Sequence, residues 1–201
     1  MRIGVFGGTF DPVHFGHLRT VEAAAMKFSL SRVLFVAARL SPLKSEPPTD
    51  DRHRVAMLAL ALAGRPDWSI ALDELDRKRP SYTVDTLRVF AERFPGDEVW
   101  LLMGTDTLAG LGRWKEPAEI VRLARIAAFE REPFAGGGLL VPDVDGLPER
   151  LAVFDAGSVR ISGTDLRKDL SGGHSAAGRV PGPVAEYITK TGLYRSGVAR
   201  R

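Results

Sequence analysis

The stretch from Ile3 to His17 constrains the fold more than any other part of the chain. Ile3 to Phe6 is an apolar, β-favouring run, Gly7 and Gly8 follow, and beyond a polar turn Leu18, Val21, Ala25 and Phe28 recur at helical spacing. A strand that hands over to a helix through a glycine loop is the opening unit of an α/β sheet. The glycines let backbone come close to a ligand. The helix beyond them offers unpaired N–H groups and the positive end of its dipole, so the junction suits a phosphate. His14 and His17, three apart at the helix start, share a face and can donate hydrogen bonds to phosphate oxygens. An isolated HxxH pair reads first as capping or surface histidines; the glycines and the strand-to-helix placement shift the weight to a site. The glycines at 4, 7 and 8 do not make a GxGxxG fingerprint, and no GxxxxGK[ST] loop is present.

The alternation continues. Val33 to Ala37 reads as a strand, Asp51 to Ala63 as a helix with Asp50 or Asp51 near its N-cap, and Trp68 to Leu72 as a strand. Thr83 to Phe94 follows as a helix, Glu98 to Met103 as a strand ending at Gly104, Pro117 to Leu123 as a short helix, and Ile126 to Phe129 as a strand. Leu151 to Phe154 reads as a strand, Thr164 to Leu170 as a helix, and Pro183 to Lys190 as a last helix stopped by Gly192. Such alternation predicts a Rossmann-like α/β fold, a parallel sheet with helices on both faces and ligands at the C-terminal strand ends. The glycine- and proline-rich segment from Glu132 to Arg150 reads as an excursion or mobile loop.

Composition removes whole classes of function. With Cys 0 there is no disulfide, no thiolate nucleophile and no cysteine-held metal, which fits a cytoplasmic protein; with His 4 and no cysteine, zinc is disfavoured too. The longest apolar run, Val55 to Ala63, is about half the length that crosses a bilayer, so no membrane partner is expected. The net charge of +3 is matched by Arg195, Arg200 and Arg201, which leaves 3 − 3 = 0 on the body. The basic balance therefore reads as a solvated tail, not as a nucleic-acid-binding face.

Gly7-Gly8-Thr9-Phe10-Asp11-Pro12-Val13-His14-Phe15-Gly16-His17 looks like the signature of the HxGH nucleotidyltransferases. Within that superfamily the chain most resembles the bacterial nicotinate mononucleotide adenylyltransferases. Ile161-Ser162-Gly163-Thr164-Asp165-Leu166-Arg167 resembles the ISxTxxR element, a capped helix start with a forward-reaching cation. Pro80 to Leu87 resembles the SYT segment, Gly104-Thr105-Asp106 with Trp114 resembles the GxD turn and its ring-stacking tryptophan, and Pro183 to Tyr194 resembles the closing helix and GLY turn. The bland alternatives are a core or rim role for Trp114, a mere helix start at Tyr82 and Thr83, and an N-cap role for Asp106.

The resemblance implies one nucleotidyltransferase domain over 1–201, with 160–194 as a small C-terminal helical part and 195–201 as a basic tail. It implies transfer of AMP from ATP to nicotinate mononucleotide, giving nicotinate adenine dinucleotide and pyrophosphate, a step of NAD biosynthesis. The catalytic cations it implies are His17, His14 and Arg167. The ATP site would be Gly7, Gly8, Thr9, Phe10, His14, His17, Gly104, Asp106, Ile161, Ser162, Thr164 and Arg167. The acceptor site would be Lys44, Tyr82, Thr83, Trp114 and Arg131. Magnesium (Mg2+) would bridge the polyphosphate, held by ATP and water and not by a protein cage. The sequence leaves homo-oligomer formation open. One departure stands out: where the family often carries a PPHK-like stretch, Ser41-Pro42-Leu43-Lys44 has Leu43 in place of the histidine, which passes a phosphate contact to Lys44 or Arg131. The rival readings are another HxGH adenylyltransferase of the phosphopantetheine type and a nucleotide-binding sensor without catalysis.

Overall fold

Apolar runs too short for helices and bounded by polar turns become strands here, and each amphipathic stretch between them becomes a helix laid across the sheet. In this computed structural model, residues 1–39, 48–76, 82–130, 139–157 and 161–195 are described. The strands are β1 (Arg2–Gly8), β2 (Arg32–Ala37), β3 (Trp68–Ala71), β4 (Glu98–Gly104), β5 (Arg125–Glu130) and β6 (Leu151–Asp155). The helices are α1 (Phe15–Phe28), α2 (Asp51–Leu62), α3 (Thr83–Arg93), α4 (Thr105–Leu108), α5 (Pro117–Leu123), α6 (Leu147–Arg150), α7 (Gly163–Ser171) and α8 (Gly182–Thr191). A 3-10 turn, Leu111–Arg113, follows α4.

The sheet has the order β3-β2-β1-β4-β5-β6, with every neighbouring pair parallel. Its registers place Phe6 beside both Phe35 and Leu102. Alternate strand residues point to opposite faces, so two cores form. Phe6, Phe35, Leu102, Ala127 and Phe129 pack under α1, α2, α7 and α8. Val5, Leu34, Val36, Leu101, Met103 and Ile126 pack under α3 and α5. This is the α/β architecture that the alternation predicts. Chain order reverses between β1 and β4, which opens a crevice at their C-terminal ends, the place where such sheets take ligands.

Two features differ from the expectation. The segment expected as an excursion over 132–150 is anchored in its later part, because Val144 and Leu147 are buried and Arg150 donates to the Val121 and Arg122 carbonyls at 3.3 and 3.2 Å. A short helix, α6, opens there with Pro148 in its first turn. The residues 131–138 lie outside the described residues. Asp106 does not cap α4: Gly104 is the N-cap, and Asp106 stands in the first turn. No helix among the described residues is long and apolar enough to cross a membrane.

Candidate active site

At the C-terminal end of β1 the backbone turns through Thr9 to His14 and enters α1. Phe10 takes a left-handed φ of 49° and tucks its ring into the core, 1% exposed, against Phe6 and Phe35. Its side chain therefore faces away from the crevice, and what Phe10 can offer a ligand is backbone. The same ring braces His17 edge-on at 5.2 Å, and Phe6 does so at 5.9 Å. His14, only 5% exposed, is the N-cap of α1, and its imidazole stacks on that of His17 with centroids 3.7 Å apart. The His14 backbone N–H donates to Nδ1 of His17 at 3.3 Å. Nδ1 is thus the acceptor nitrogen, and in the neutral ring Nε2 carries the proton and donates. Gly16 between the histidines is required sterically: a Cβ there would lie 2.9 Å from the His14 Nδ1 and 3.4 Å from the Ile161 carbonyl oxygen.

That Ile161 contact shows where α7 begins, directly against the start of α1. Ser162 caps α7 by accepting from the Asp165 N–H at 3.4 Å, and a Cβ on Gly163 would lie 3.9 Å from the His14 Nε2. Two helix N-termini and two histidines therefore share one corner. Arg167, one turn into α7, reaches back across the loop and donates through Nη1 to the Asp11 carbonyl at 2.7 Å and through Nη2 to the Thr164 hydroxyl at 3.3 Å. Gly7, Gly8, Thr9, His14, His17, Ile161, Ser162, Thr164 and Arg167, all singled out from the sequence, are brought together here.

Beneath the loop lie groups that sequence reasoning did not single out. Arg54 of α2 is 0% exposed, donates to the Thr9 carbonyl at 2.6 Å and to the Thr49 carbonyl at 3.0 Å, and pairs with Asp51. A cation this deep persists only when paired and hydrogen-bonded, as here. Its only signal was its place at the head of the apolar run Val55 to Ala63, in a first turn that also carries Asp51, Arg52 and His53. Asp11, 8% exposed, accepts the Thr49 N–H on Oδ2 at 3.1 Å and the Tyr194 hydroxyl on Oδ1 at 2.6 Å. Burial pushes the Tyr194 hydroxyl far above the usual phenol range, and the charge of Asp11 and the bond to it push the same way.

On the other side of the crevice, Gly104 ends β4 and Asp106 is exposed in the first turn of α4. Tyr82 caps α3, Thr83 is its first residue, and the buried Thr86 donates to Glu74 at 2.9 Å, which fixes the helix start. Lys115 spans the gap to the next element: its ammonium lies 5.1 Å from the Tyr82 ring centre and 3.0 Å from the Asp85 carboxylate. Trp114, half-buried next to it, packs on the core below α3 and α5, as Tyr82 does. Tyr82, Thr83 and Trp114 thus border one wall, whereas Lys44 and Arg131, together with Leu43, lie outside the described residues. Among the described residues no group of three or more His, Cys, Asp or Glu side chains gathers to hold a metal ion. The donors at the two helix starts are N–H groups and cations, a set that suits a metal carried in by a polyphosphate and not one caged by protein.

Residues 5–169 match the family model described as cytidylyltransferase-like. The "probable nicotinate-nucleotide adenylyltransferase" of Herpetosiphon aurantiacus is 37% identical over 194 residues, covering 96% of this chain and 98% of its own. That of Thermus thermophilus is 38% identical over 195 residues, covering 97% of this chain and 100% of its own. Among solved structures, the nicotinic acid mononucleotide adenylyltransferase of Plasmodium falciparum complexed with NaAD superposes with a TM-score of 0.73 at 20% identity, covering 96% of this chain and 97% of that one. At that identity the likeness is one of fold.

Proposed function

The chain belongs to the cytidylyltransferase-like family, in the company of the nicotinate-nucleotide adenylyltransferases that match it end to end, and from that premise we propose how its own residues carry the reaction. The reaction is transfer of AMP from ATP to nicotinate mononucleotide, a step of NAD biosynthesis. A phosphate oxygen of the mononucleotide attacks the α-phosphorus of ATP in line. The bond from that phosphorus to the bridging oxygen breaks, and pyrophosphate leaves with the electron pair. The attacking phosphate monoester, with a second pKa of about 6, is already ionised at neutral pH, so no general base is needed.

What the protein must do is bring two anions together and stabilise charge on the α-phosphate and the leaving group. His17, its proton set on Nε2, donates to the α-phosphate with His14 behind it. Arg167 and the start of α7, with Ile161, Ser162 and Thr164, take the β- and γ-phosphates. Gly7, Gly8, Thr9 and the Phe10 backbone line the polyphosphate, while Gly104 and Asp106 take the adenosine ribose. Magnesium carried in by ATP would neutralise polyphosphate charge, held by ATP and water and not by a side-chain cage. Trp114 stacks on the pyridine ring, Tyr82 and Thr83 meet its carboxylate, and Lys44 and Arg131 take the acceptor phosphate.

The observation that carries this reading is the meeting of the α1 and α7 N-termini, with stacked histidines and Arg167 between them, at the sheet's reversal point. The test is pyrophosphate release from ATP and magnesium with nicotinate mononucleotide, nicotinamide mononucleotide or phosphopantetheine as acceptor. Preference for nicotinate mononucleotide supports the assignment. Preference for phosphopantetheine would retain the phosphate site and overturn the roles of Tyr82, Thr83 and Trp114; silence with all three would overturn transfer in favour of a nucleotide sensor.

A further inference from the structure

The reaction above uses neither Asp11 nor Tyr194, yet a buried carboxylate needs a reason to persist. Asp11 is held from three distant parts of the chain: Thr49 ahead of α2, Tyr194 beyond α8, and Arg167 within α7, which grips its carbonyl. Tyr194 reaches it from a left-handed backbone, φ 68°, two residues past Gly192 at φ 67°, a conformation unusual for a residue with a side chain. Leu193 between them is anchored in the core. The closing turn is thus bent so as to deliver a hydroxyl to Asp11.

We propose that Tyr194 is a positioning residue, whose hydroxyl, through the buried Asp11 carboxylate, fixes the loop that carries His14 and His17 and the carbonyl on which Arg167 rests. Its effect on turnover rests on the adenylyltransferase reading; its effect on the loop does not. The Asp11 carbonyl accepts from the Arg167 Nη1 at 2.7 Å, and Gly163 at the start of α7 lies in van der Waals range of both groups. A displacement of Asp11 is therefore passed to Arg167 and to the histidine corner. A tyrosine that merely filled space would need its ring and not its hydroxyl.

Tyr194→Phe keeps the ring and removes the bond. Two measurements follow on the full chain. Hydrogen exchange at the Thr49 amide and at the amides of residues 13–17 should quicken at least about tenfold, with β1 and β4 unchanged. Turnover with ATP, magnesium and nicotinate mononucleotide should fall about tenfold or more, with KM for the mononucleotide within about twofold of wild type. In combination with Arg167→Ala the double variant should lose clearly less than the product of the two single losses, because the share of the Tyr194 effect that acts through the placed guanidinium is already gone. Unchanged exchange, exchange raised uniformly across the sheet, or multiplicative losses in the double variant would each overturn the positioning role. A wild-type chain that releases no pyrophosphate would overturn the adenylyltransferase reading, and the exchange data would still decide the role of Tyr194.

Discussion

Gly16→Ala separates the geometry of the histidine corner from the stability of the fold. Gly16 is the second residue of α1, where alanine is favoured over glycine by up to about 1 kcal/mol. Against that gain stands a methyl group built 2.9 Å from the His14 Nδ1, 3.0 Å from its Cε1 and 3.4 Å from the Ile161 carbonyl oxygen. Comfortable contact begins near about 3.5 Å, so the imidazole must retreat by roughly half an ångström. It has little room to do so, since it is buried and lies 3.7 Å, centroid to centroid, from the His17 ring. Overpacking of this kind costs about 1 to 3 kcal/mol, so the net loss is about 0 to 3 kcal/mol, a fall in Tm of at most about 12 °C. The displaced His17 donor should cost far more in turnover, about 10- to 100-fold. Pyrophosphate release measured beside thermal melting reads both quantities. Wild-type turnover in Gly16→Ala would refute the claim that the stacked pair must sit where it does.

Three further outcomes follow from the same geometry. His17→Ala should fold and melt close to wild type yet lose about 100- to 1000-fold in turnover, the usual effect of removing a donor aimed at transition-state charge; near-wild-type turnover would remove His17 from the mechanism. Trp114→Ala should weaken binding of nicotinate mononucleotide, read by titration calorimetry, and leave ATP affinity nearly unchanged, whereas equal loss for both ligands would assign the tryptophan to folding. The third is alkaline. Because the folded Tyr194 hydroxyl titrates above its unfolded value of 10.0, its stabilising share is complete below pH 10 and is lost as pH rises through the folded value. The stability of wild type relative to Tyr194→Phe should therefore fall by about 1.4 kcal/mol per pH unit above pH 10 in urea unfolding, and a pH-independent difference would refute the burial argument.

Most of the fold was legible because its signals are local. Strand runs such as Val33 to Ala37 and Glu98 to Met103 are unbroken in sequence because both faces of a parallel sheet are covered, and the observed strands extend them by only a residue or two. The elements that went unread, α6 and the 3-10 turn, have three or four residues, less than the period needed to show a face, and α4, read only as a short helix after Gly104, was given the wrong cap. The phosphate corner was legible for the same reason, since each helix start carries its own motif. Phe10 shows the limit of that reading: a loop position two residues past a glycine says nothing about which way a ring will turn. Asp11, Thr49, Arg54 and Tyr194 went unread because their pairing is long-range, up to 183 positions apart, and no periodicity reports it.

The two arginines of the corner show why one was readable and the other not. Arg54 is enclosed, and its charge is met by Asp51 while its remaining donors go to the Thr9 and Thr49 carbonyls. Its field at the crevice is largely cancelled, and what it contributes is the shape of the loop. Arg167 is partly exposed, and its hydrogen bonds go to neutral oxygens, a carbonyl and a hydroxyl. Neutral acceptors orient a guanidinium without neutralising it, so its positive charge remains available to an anion arriving at the α1 and α7 N-termini. Asp11 works from behind: its carboxyl oxygens accept from an amide and a phenol, and its backbone carbonyl is the acceptor that orients the Arg167 guanidinium. The corner therefore presents one oriented cation and two helix ends to the crevice, while the groups that fix them are out of a ligand's reach.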